Sequence, residues 1–296
     1  MEDYLTATLL GSAWGLLTRY LMLKSDYRQF PGYPHGYVTH LSLGLVASLL
    51  GSLAIPAIFE KEVAAVSFLS LAATKFRDVR EMERKTLSSL DMTKLVPRGP
   101  DYIEGISRVF EARNYLSMLM ALIVSGTAYI FSLQAAIPVG LAVLLLAIRL
   151  MRGEVIQDIA TVRPGEIRFK GPNLYVDDIH VMNLGSEGAR QKVMERGLGV
   201  VIEPKDDDAR SMLANAGQRM AIAHDAALQL GIYKDVDTPE FMPILRRDLD
   251  TGRVVMVIVP IEMDMECLLL AVSRVPVLES AYSRPLQSRA GAGAAD

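Results

Sequence analysis

The pattern of hydrophobic and polar positions changes near residue 152, with long apolar runs before it and short alternating segments after it. Apolar runs of about 20 residues predict membrane-spanning helices, because each residue adds ~1.5 Å across a hydrocarbon core of ~30 Å. The predicted spans cover residues 4–23, 37–59, 63–80, 115–133 and 135–151. The third run has few apolar residues before Lys75, which leaves four spans as the alternative to five.

The distribution of basic residues predicts how these helices are oriented. Nine Lys and Arg residues lie between Lys75 and Arg113, whereas residues 60–62 contain one lysine and residues 132–136 contain none. Basic residues accumulate on the cytosolic side of a membrane. We therefore expect a multi-pass protein of the cytoplasmic membrane, with everything after Arg152 in the cytosol.

Two stripes of small residues are candidates for helix packing. They recur at four-residue spacing in the first two predicted spans, as Ala7, Gly11 and Gly15 and as Gly44, Ser48 and Ser52. Small side chains at this spacing let membrane helices approach closely. We expect the stripes to pack helices within one chain, and a homo-oligomer is the alternative.

The second half of the chain predicts a small α/β domain over residues 153–281. Apolar and alternating segments indicate strands at 166–170, 174–176, 179–183, 198–202, 241–246 and 253–260, and helices at 186–196, 206–230 and 262–274. Residues 282–296 lack apolar patterning, so we expect a disordered tail. The predicted fold class is an α-helical transmembrane bundle of about five helices followed by a small cytosolic α/β domain.

Composition and motifs argue against catalysis and against nucleic-acid binding. The net charge is −3, and a single cysteine excludes an intramolecular disulfide and a cysteine-based zinc cluster. The acidic segment Glu203–Asp208 is best explained by residues that cap the N-terminus of a helix. The His224-Asp225 pair lacks the further His and Asp ligands that a metal-dependent phosphohydrolase needs. We expect no enzyme activity, no catalytic residues, no metal and no cofactor.

The segment Asp101–Arg113, with the sequence DYIEGISRVFEAR, predicts an amphipathic interfacial helix over residues 101–113. Apolar side chains share one helical face and charged side chains share another. The candidate interaction residues are Tyr102, Ile103, Glu104, Gly105, Ile106, Arg108 and Glu111. A glycine within a helix costs ~1 kcal/mol relative to alanine, so Gly105 predicts close approach by another backbone.

Residues 102–107, YIEGIS, resemble the signature of the YIEGIA family of polytopic membrane proteins of endospore-forming bacteria, with Ser107 where the name has alanine. Five further segments are similar to sequences of the same family, namely Tyr27–Gly36, Ala73–Arg84, Gly171–Asn183, Val201–Arg210 and Asp225–Phe241. The resemblance implies a role in spore-envelope assembly and a small protein partner of the capping-complex type. It implies no catalytic residue.

These observations lead to two hypotheses from different classes. The first is a membrane-anchored assembly or scaffold protein in spore-envelope formation, which contacts the lipid bilayer and recruits a small partner through its cytosolic face. The second is a channel or transporter with a cytosolic regulatory α/β domain.

Overall fold

The computed structural model describes residues 2–26, 34–150, 153–235 and 238–282. The chain divides into two compact units, of which the first contains Met1–Lys85 and Ile106–Arg152. The second contains Thr86–Gly105 and Gly153–Asp296. Residues 283–296, most of the tail expected to be disordered, lie outside the described residues.

Five long helices occupy the first part of the chain. They are α1 (Glu2–Asp26), α2 (Pro34–Phe59), α3 (Val63–Asp91), α4 (Pro100–Ile130) and α5 (Leu133–Leu150). Helix α4 begins where Gly99 adopts a φ of +90°, which glycine tolerates best, and Pro100 takes the first helical position. The predicted interfacial helix over 101–113 is therefore the beginning of a 31-residue helix.

The predicted bundle of about five transmembrane helices is wrong. Within the described ranges, one helix, Gly36–Phe59, is long and apolar enough to cross a membrane, with a mean hydropathy of 2.0. The apolar helix Leu133–Arg149 is shorter. The corrected architecture is a mainly helical chain with one candidate span and antiparallel sheets.

Charged side chains explain why the spans predicted at 63–80 and 115–133 do not meet this test. Helix α3 becomes densely charged after Thr74 and continues to Asp91, so its apolar part is only its first three turns. Helix α4 contains Asp101, Glu104, Arg108, Glu111 and Arg113 before its apolar half. These two predicted spans are therefore the apolar ends of longer, partly polar helices.

The second unit is built from short elements after residue 153. In chain order they are α6 (Ile156–Ile159), β1 (Ala160–Gly165), β2 (Ile167–Lys170), β3 (Asn173–Val176), β4 (Ile179–Asn183), α7 (Glu187–Arg196), β5 (Leu198–Pro204), α8 (Asp207–Ala214), α9 (Ala216–Leu230), β6 (Lys234–Asp235), β7 (Thr238–Pro239), β8 (Ile244–Arg247), β9 (Val254–Ile258) and α10 (Met265–Ser273). Strands β6 and β7 form a small antiparallel pair.

Two antiparallel sheets carry the core of this unit. The larger has the strand order β1-β5-β9-β8, and the smaller has the order β2-β3-β4. All five residues of β9 are buried, as expected for a central strand covered on both faces. Side chains of β3, β4, β5 and β9 form one apolar cluster that joins the sheets, while α10 packs against α9 and β1.

Local sequence explains both the predicted elements and the departures from prediction. The strands predicted at 174–176, 179–183 and 198–202 are confirmed, whereas β1 was missed. The helix predicted over 206–230 is interrupted at Asn215, whose side-chain oxygen accepts a hydrogen bond from the Gln218 amide at 2.9 Å and caps α9. Asp206 caps α8 in the same way, which confirms the capping interpretation of the acidic segment.

Candidate functional site

Asp91 closes the loop that precedes helix α4. Its two carboxylate oxygens accept hydrogen bonds from the Arg98 amide at 2.9 Å and from the Gly99 amide at 3.2 Å. A carboxylate that binds successive backbone amides fixes the direction in which the chain leaves a loop. These two hydrogen bonds restrain the loop between Asp91 and Gly99, which directly precedes helix α4.

His224 of α9 fastens this loop to the α/β unit. Its Nδ1 atom lies 2.6 Å from the backbone oxygen of Val96, and its Nε2 atom accepts a hydrogen bond from Arg98 Nε at 3.2 Å. A ring that donates from Nδ1 and accepts at Nε2 is the neutral tautomer. Burial is the main cause that lowers the pKa of His224, and the charge of Arg98 adds to it, while the bond to Val96 opposes it.

The first turn of α4 also packs against α9. A Cβ atom added to Gly217 would lie 2.7 Å from the Cβ atom of Asp101, so only glycine fits at this crossing. The Tyr102 hydroxyl donates a hydrogen bond to Asp225 at 3.3 Å, and the Ser280 hydroxyl donates to Asp101 at 3.2 Å. The opening residues of the motif are therefore part of the α/β unit.

An apolar cleft of about 360 Å³ lies between this loop and the end of α9. Its wall includes Val96, Ile232 and part of the His224 ring. Leu228 and Ile261 also line it, although they are 53% and 46% exposed. Lys94 is the basic residue among those that line the cleft. This arrangement can accept an aliphatic side chain and place an acidic group beside Lys94.

The candidate interaction residues lie on different faces of helix α4. Tyr102, Ile103 and Ile106 are buried, Glu104, Gly105 and Glu111 are partly exposed, and Arg108 is exposed. Glu111 accepts a hydrogen bond from Arg80 at 3.1 Å. The close backbone approach expected at Gly105 is not found, because an added Cβ atom there would meet nothing within 4 Å.

The small-residue stripes lie in the interior of the helical unit. Ala7, Ser48 and Ser52 are buried. An added Cβ atom would lie 2.6 Å from the Ala121 oxygen at Gly11 and 2.7 Å from the Ser117 oxygen at Gly15. The glycines therefore allow α1 to pack against α4.

Gly44 makes room for Arg19, whose side chain has no exposed surface. Arg19 lies 2.7 Å from His40 Nδ1, and its guanidinium carbon is 5.6 Å from the centre of the Phe110 ring. A Cβ atom on Gly44 would lie 2.9 Å from the Arg19 Cβ atom. Arginine opposite a glycine stripe was the sequence signal for this buried pair.

The helical unit buries polar as well as apolar side chains, and many of its exposed side chains are apolar. The buried polar residues include Thr8, Ser12, Thr18, Arg19, His40, Ser48, Ser52, Asn114, Ser117 and Ser125. The exposed apolar residues include Leu5, Leu9, Leu45, Val46, Leu49, Ile137, Leu141, Leu145 and Leu146. A protein surface in water is expected to show isolated apolar side chains rather than such an arrangement.

Metal binding finds no support in the part of the chain that the structure describes, where no group of three or more His, Cys, Asp or Glu side chains could hold an ion.

Comparison with known proteins identifies relatives over nearly the whole chain. The family profile described as YIEGIA protein matches residues 7–288. A protein from Bacillus subtilis (strain 168), named Uncharacterized protein YphB, is 42% identical over 287 residues, which cover 97% of each chain. No solved structure matches this chain.

Proposed function

The chain belongs to the YIEGIA family, and from this premise we propose that it is a membrane-attached assembly protein that recruits a small protein partner. Its place of action is the cytoplasmic membrane during formation of the spore envelope. The spore-envelope part of the proposal rests on the association of the family described above. The recruitment part rests on the α/β unit.

The observation that carries the recruitment proposal is the apolar cleft beside the loop Asp91–Gly99. Leu228 and Ile261 expose aliphatic surface at a site that also has a concave wall. Small partners bind best where an anchor side chain fills a pocket and excludes water. The partner we propose inserts an aliphatic side chain between Leu228 and Ile261 and pairs a carboxylate with Lys94.

The apolar exterior of the helical unit supports membrane attachment. Helix Gly36–Phe59 is long enough to enter the hydrocarbon core, and 39% of its most apolar window is buried inside the protein. The rest of that window needs an apolar environment, because exposing it to water is unfavourable by ~25 cal/mol per Å². Lipid supplies that environment at a membrane.

A pull-down from sporulating cells tests partner recruitment. The full chain, tagged and extracted in mild detergent, is compared with Leu228→Asp and Ile261→Asp variants. We expect the unmodified chain to retain a small protein in stoichiometric amount and both variants to lose it, since a charge in the cleft disfavours an apolar anchor.

Leu249→Asp is the matched control for this experiment. Leu249 is 74% exposed in the turn between β8 and β9 and does not line the cleft. Retention of the partner by Leu249→Asp and its loss from Leu228→Asp would support the site. If all variants retain the partner equally, the cleft is not the site that recruits it.

A second candidate function, transport across the membrane, is favoured by one observation. Arg19 and His40 are buried polar groups within a helical unit that exposes many apolar side chains, and such groups often mark a route for ions or protons. Flux of protons or anions into liposomes that contain the full chain, reduced by Arg19→Met, would support this candidate. If Arg19→Met leaves the flux unchanged, a role of the Arg19–His40 pair in transport is rejected.

A further inference from the structure

The loop Asp91–Gly99 forms part of the wall of the apolar cleft. It contributes four of the lining residues, Thr93, Lys94, Leu95 and Val96. The other lining residues belong to α9 and to the segments that follow it, so the cleft keeps its shape only while the loop is held against α9. His224, which also lines the cleft, makes two hydrogen bonds to this loop.

We propose that protonation of His224 releases the loop from α9 and thereby dismantles the cleft, so that partner recruitment depends on pH. This regulation rests on the recruitment proposed above, because it acts on the same cleft. With the loop in place, the ring donates from Nδ1 to the Val96 oxygen and accepts at Nε2 from Arg98. An imidazolium carries an N–H group at both nitrogens, so it cannot accept the hydrogen bond from Arg98.

The charged groups around the ring also oppose its protonation. Nε of Arg98 lies 3.2 Å from Nε2 of His224, so a proton on Nε2 would bring two cations together. Lys94 adds a second positive charge from the loop, whereas Asp91, at the end of α3, contributes a negative charge. The Asp91 carboxylate already binds two backbone amides, and the carboxylate of Asp225, the next residue of α9, accepts a hydrogen bond from helix α4. Separating the ring from the loop therefore stabilises the imidazolium.

Burial of the ring acts in the same direction. His224 is 2% exposed, and burial is the largest cause that lowers its pKa. Release of the loop exposes the ring to water, where its ordinary pKa is 6.5. As the pH falls below 6.5, the released form takes up a proton that the closed form does not, so the ratio of released to closed loop increases. Between pH 7.5 and 5.5 this ratio should rise by up to about tenfold for a pKa of 6.5.

Double electron–electron resonance measures release of the loop in the folded full chain. One nitroxide label is attached through Met92→Cys, at a loop residue that is 83% exposed, and the other through Met194→Cys, at a residue of α7 that is 56% exposed. Cys267→Ser removes the native thiol. We expect one narrow distance distribution at pH 7.5 and a second, broader population at pH 5.5. Identical distributions at the two pH values would overturn the proposal.

Three variants assign the response to His224. His224→Gln keeps a donor and an acceptor in a side chain that stays neutral, so the distances should no longer depend on pH. Arg98→Met removes the cation that opposes protonation and should reduce the change between the two pH values. His180→Gln, at an exposed histidine, is the matched control and should leave the change as it is. A full response in His224→Gln or in Arg98→Met would overturn the proposal.

The pull-down described above, repeated at pH 7.5 and 5.5, separates this regulation from the recruitment on which it depends. The unmodified chain should lose its partner at pH 5.5, whereas His224→Gln should retain it at both values. Absence of a partner at pH 7.5 contradicts recruitment, while the spin-label distances still decide whether the loop is released. A partner that is retained equally at both pH values although the loop is released contradicts control of the cleft by His224.

Discussion

The Nδ1 atom of His224 lies 2.6 Å from the backbone oxygen of Val96, although 128 residues separate them in the chain. This contact joins the loop before the family motif to a helix of the α/β unit. Because Arg98 donates to the other ring nitrogen, the contact requires a neutral imidazole. The stability of the unit should therefore depend on the protonation of His224.

Lowering the pH should destabilise the α/β unit through His224. Burial, the largest cause, lowers the pKa of His224 below its ordinary value of 6.5 in the folded chain. As the pH falls below 6.5, the unfolded chain takes up a proton that the folded chain does not, so the free energy of unfolding decreases. Thermal unfolding between pH 7.5 and 5 should show this loss, and His224→Gln should weaken the pH dependence.

His180→Gln is the matched control for the pH experiment. His180 is exposed and its ring contacts Asn183 at 2.9 Å. Its replacement should leave the slope of stability against pH nearly as it is in the unmodified chain. An unchanged slope in His224→Gln would show that another group causes the pH dependence.

Two glycine substitutions should have opposite effects on stability. Gly51→Ala would place a Cβ atom 2.8 Å from the Met118 carbonyl carbon, so we expect a loss of about 1–3 kcal/mol from overpacking. Gly105→Ala meets nothing within 4 Å and should stabilise helix α4 by about 0.5–1 kcal/mol. Thermal unfolding of both variants measures the difference, and a destabilised Gly105→Ala would contradict it.

Arg19 and His40 should be energetically coupled. Both are buried and lie 2.7 Å apart, so removing either leaves the other without this hydrogen bond. A double-mutant cycle with Arg19→Met and His40→Ala should give a coupling energy of about 1–3 kcal/mol. The exposed pair Arg84–Glu81, at 2.8 Å, serves as the control and should give about 0.5 kcal/mol or less. Equal coupling in the two pairs would contradict this.

Asp177 should stabilise the two sheets at pH values above its ordinary pKa. Burial alone would raise the pKa of Asp177, but hydrogen bonds from the Glu166 amide and from Arg163, both at 2.8 Å, hold it below the usual 3.8. The stabilisation is therefore present at neutral pH and lost as the pH falls below 3.8. Asp177→Asn should lower the free energy of unfolding by about 0.5–1.5 kcal/mol at pH 7.

The acid dependence of this variant provides the decisive comparison. Asparagine tolerates the φ of +52° at position 177, so the substitution changes the charge with little backbone strain. The difference in stability between Asp177→Asn and the unmodified chain should shrink towards pH 3. A difference that stays constant with pH would point to lost packing.

Short-range patterns predicted the elements of the α/β unit better than its long-range contacts. Alternation located β4, because successive side chains of a strand point to opposite faces. It missed β1, whose sequence ATVRPG contains Pro164 and Gly165. Proline is tolerated there because β1 is an edge strand, a position that becomes known only from the sheet order.

The candidate site was harder to predict because its parts come from distant segments. His224 and Arg98 are 126 residues apart, and no periodic pattern links them. The spans predicted at 63–80 and 115–133 are wrong because charged turns continue the same helices. The burial of Arg19 could not be predicted, because its position in the chain does not reveal which face of α1 is buried.

The α/β unit takes one of its segments from before residue 106 and the rest from after residue 152, and this sets an order for its folding during synthesis. Val96 leaves the ribosome 128 residues before His224. Protein synthesis adds ~5–20 residues per second, so His224 of α9 is made roughly 6–26 seconds after Val96. A newly made chain therefore exposes the beginning of its family motif before the α/β unit can cover it.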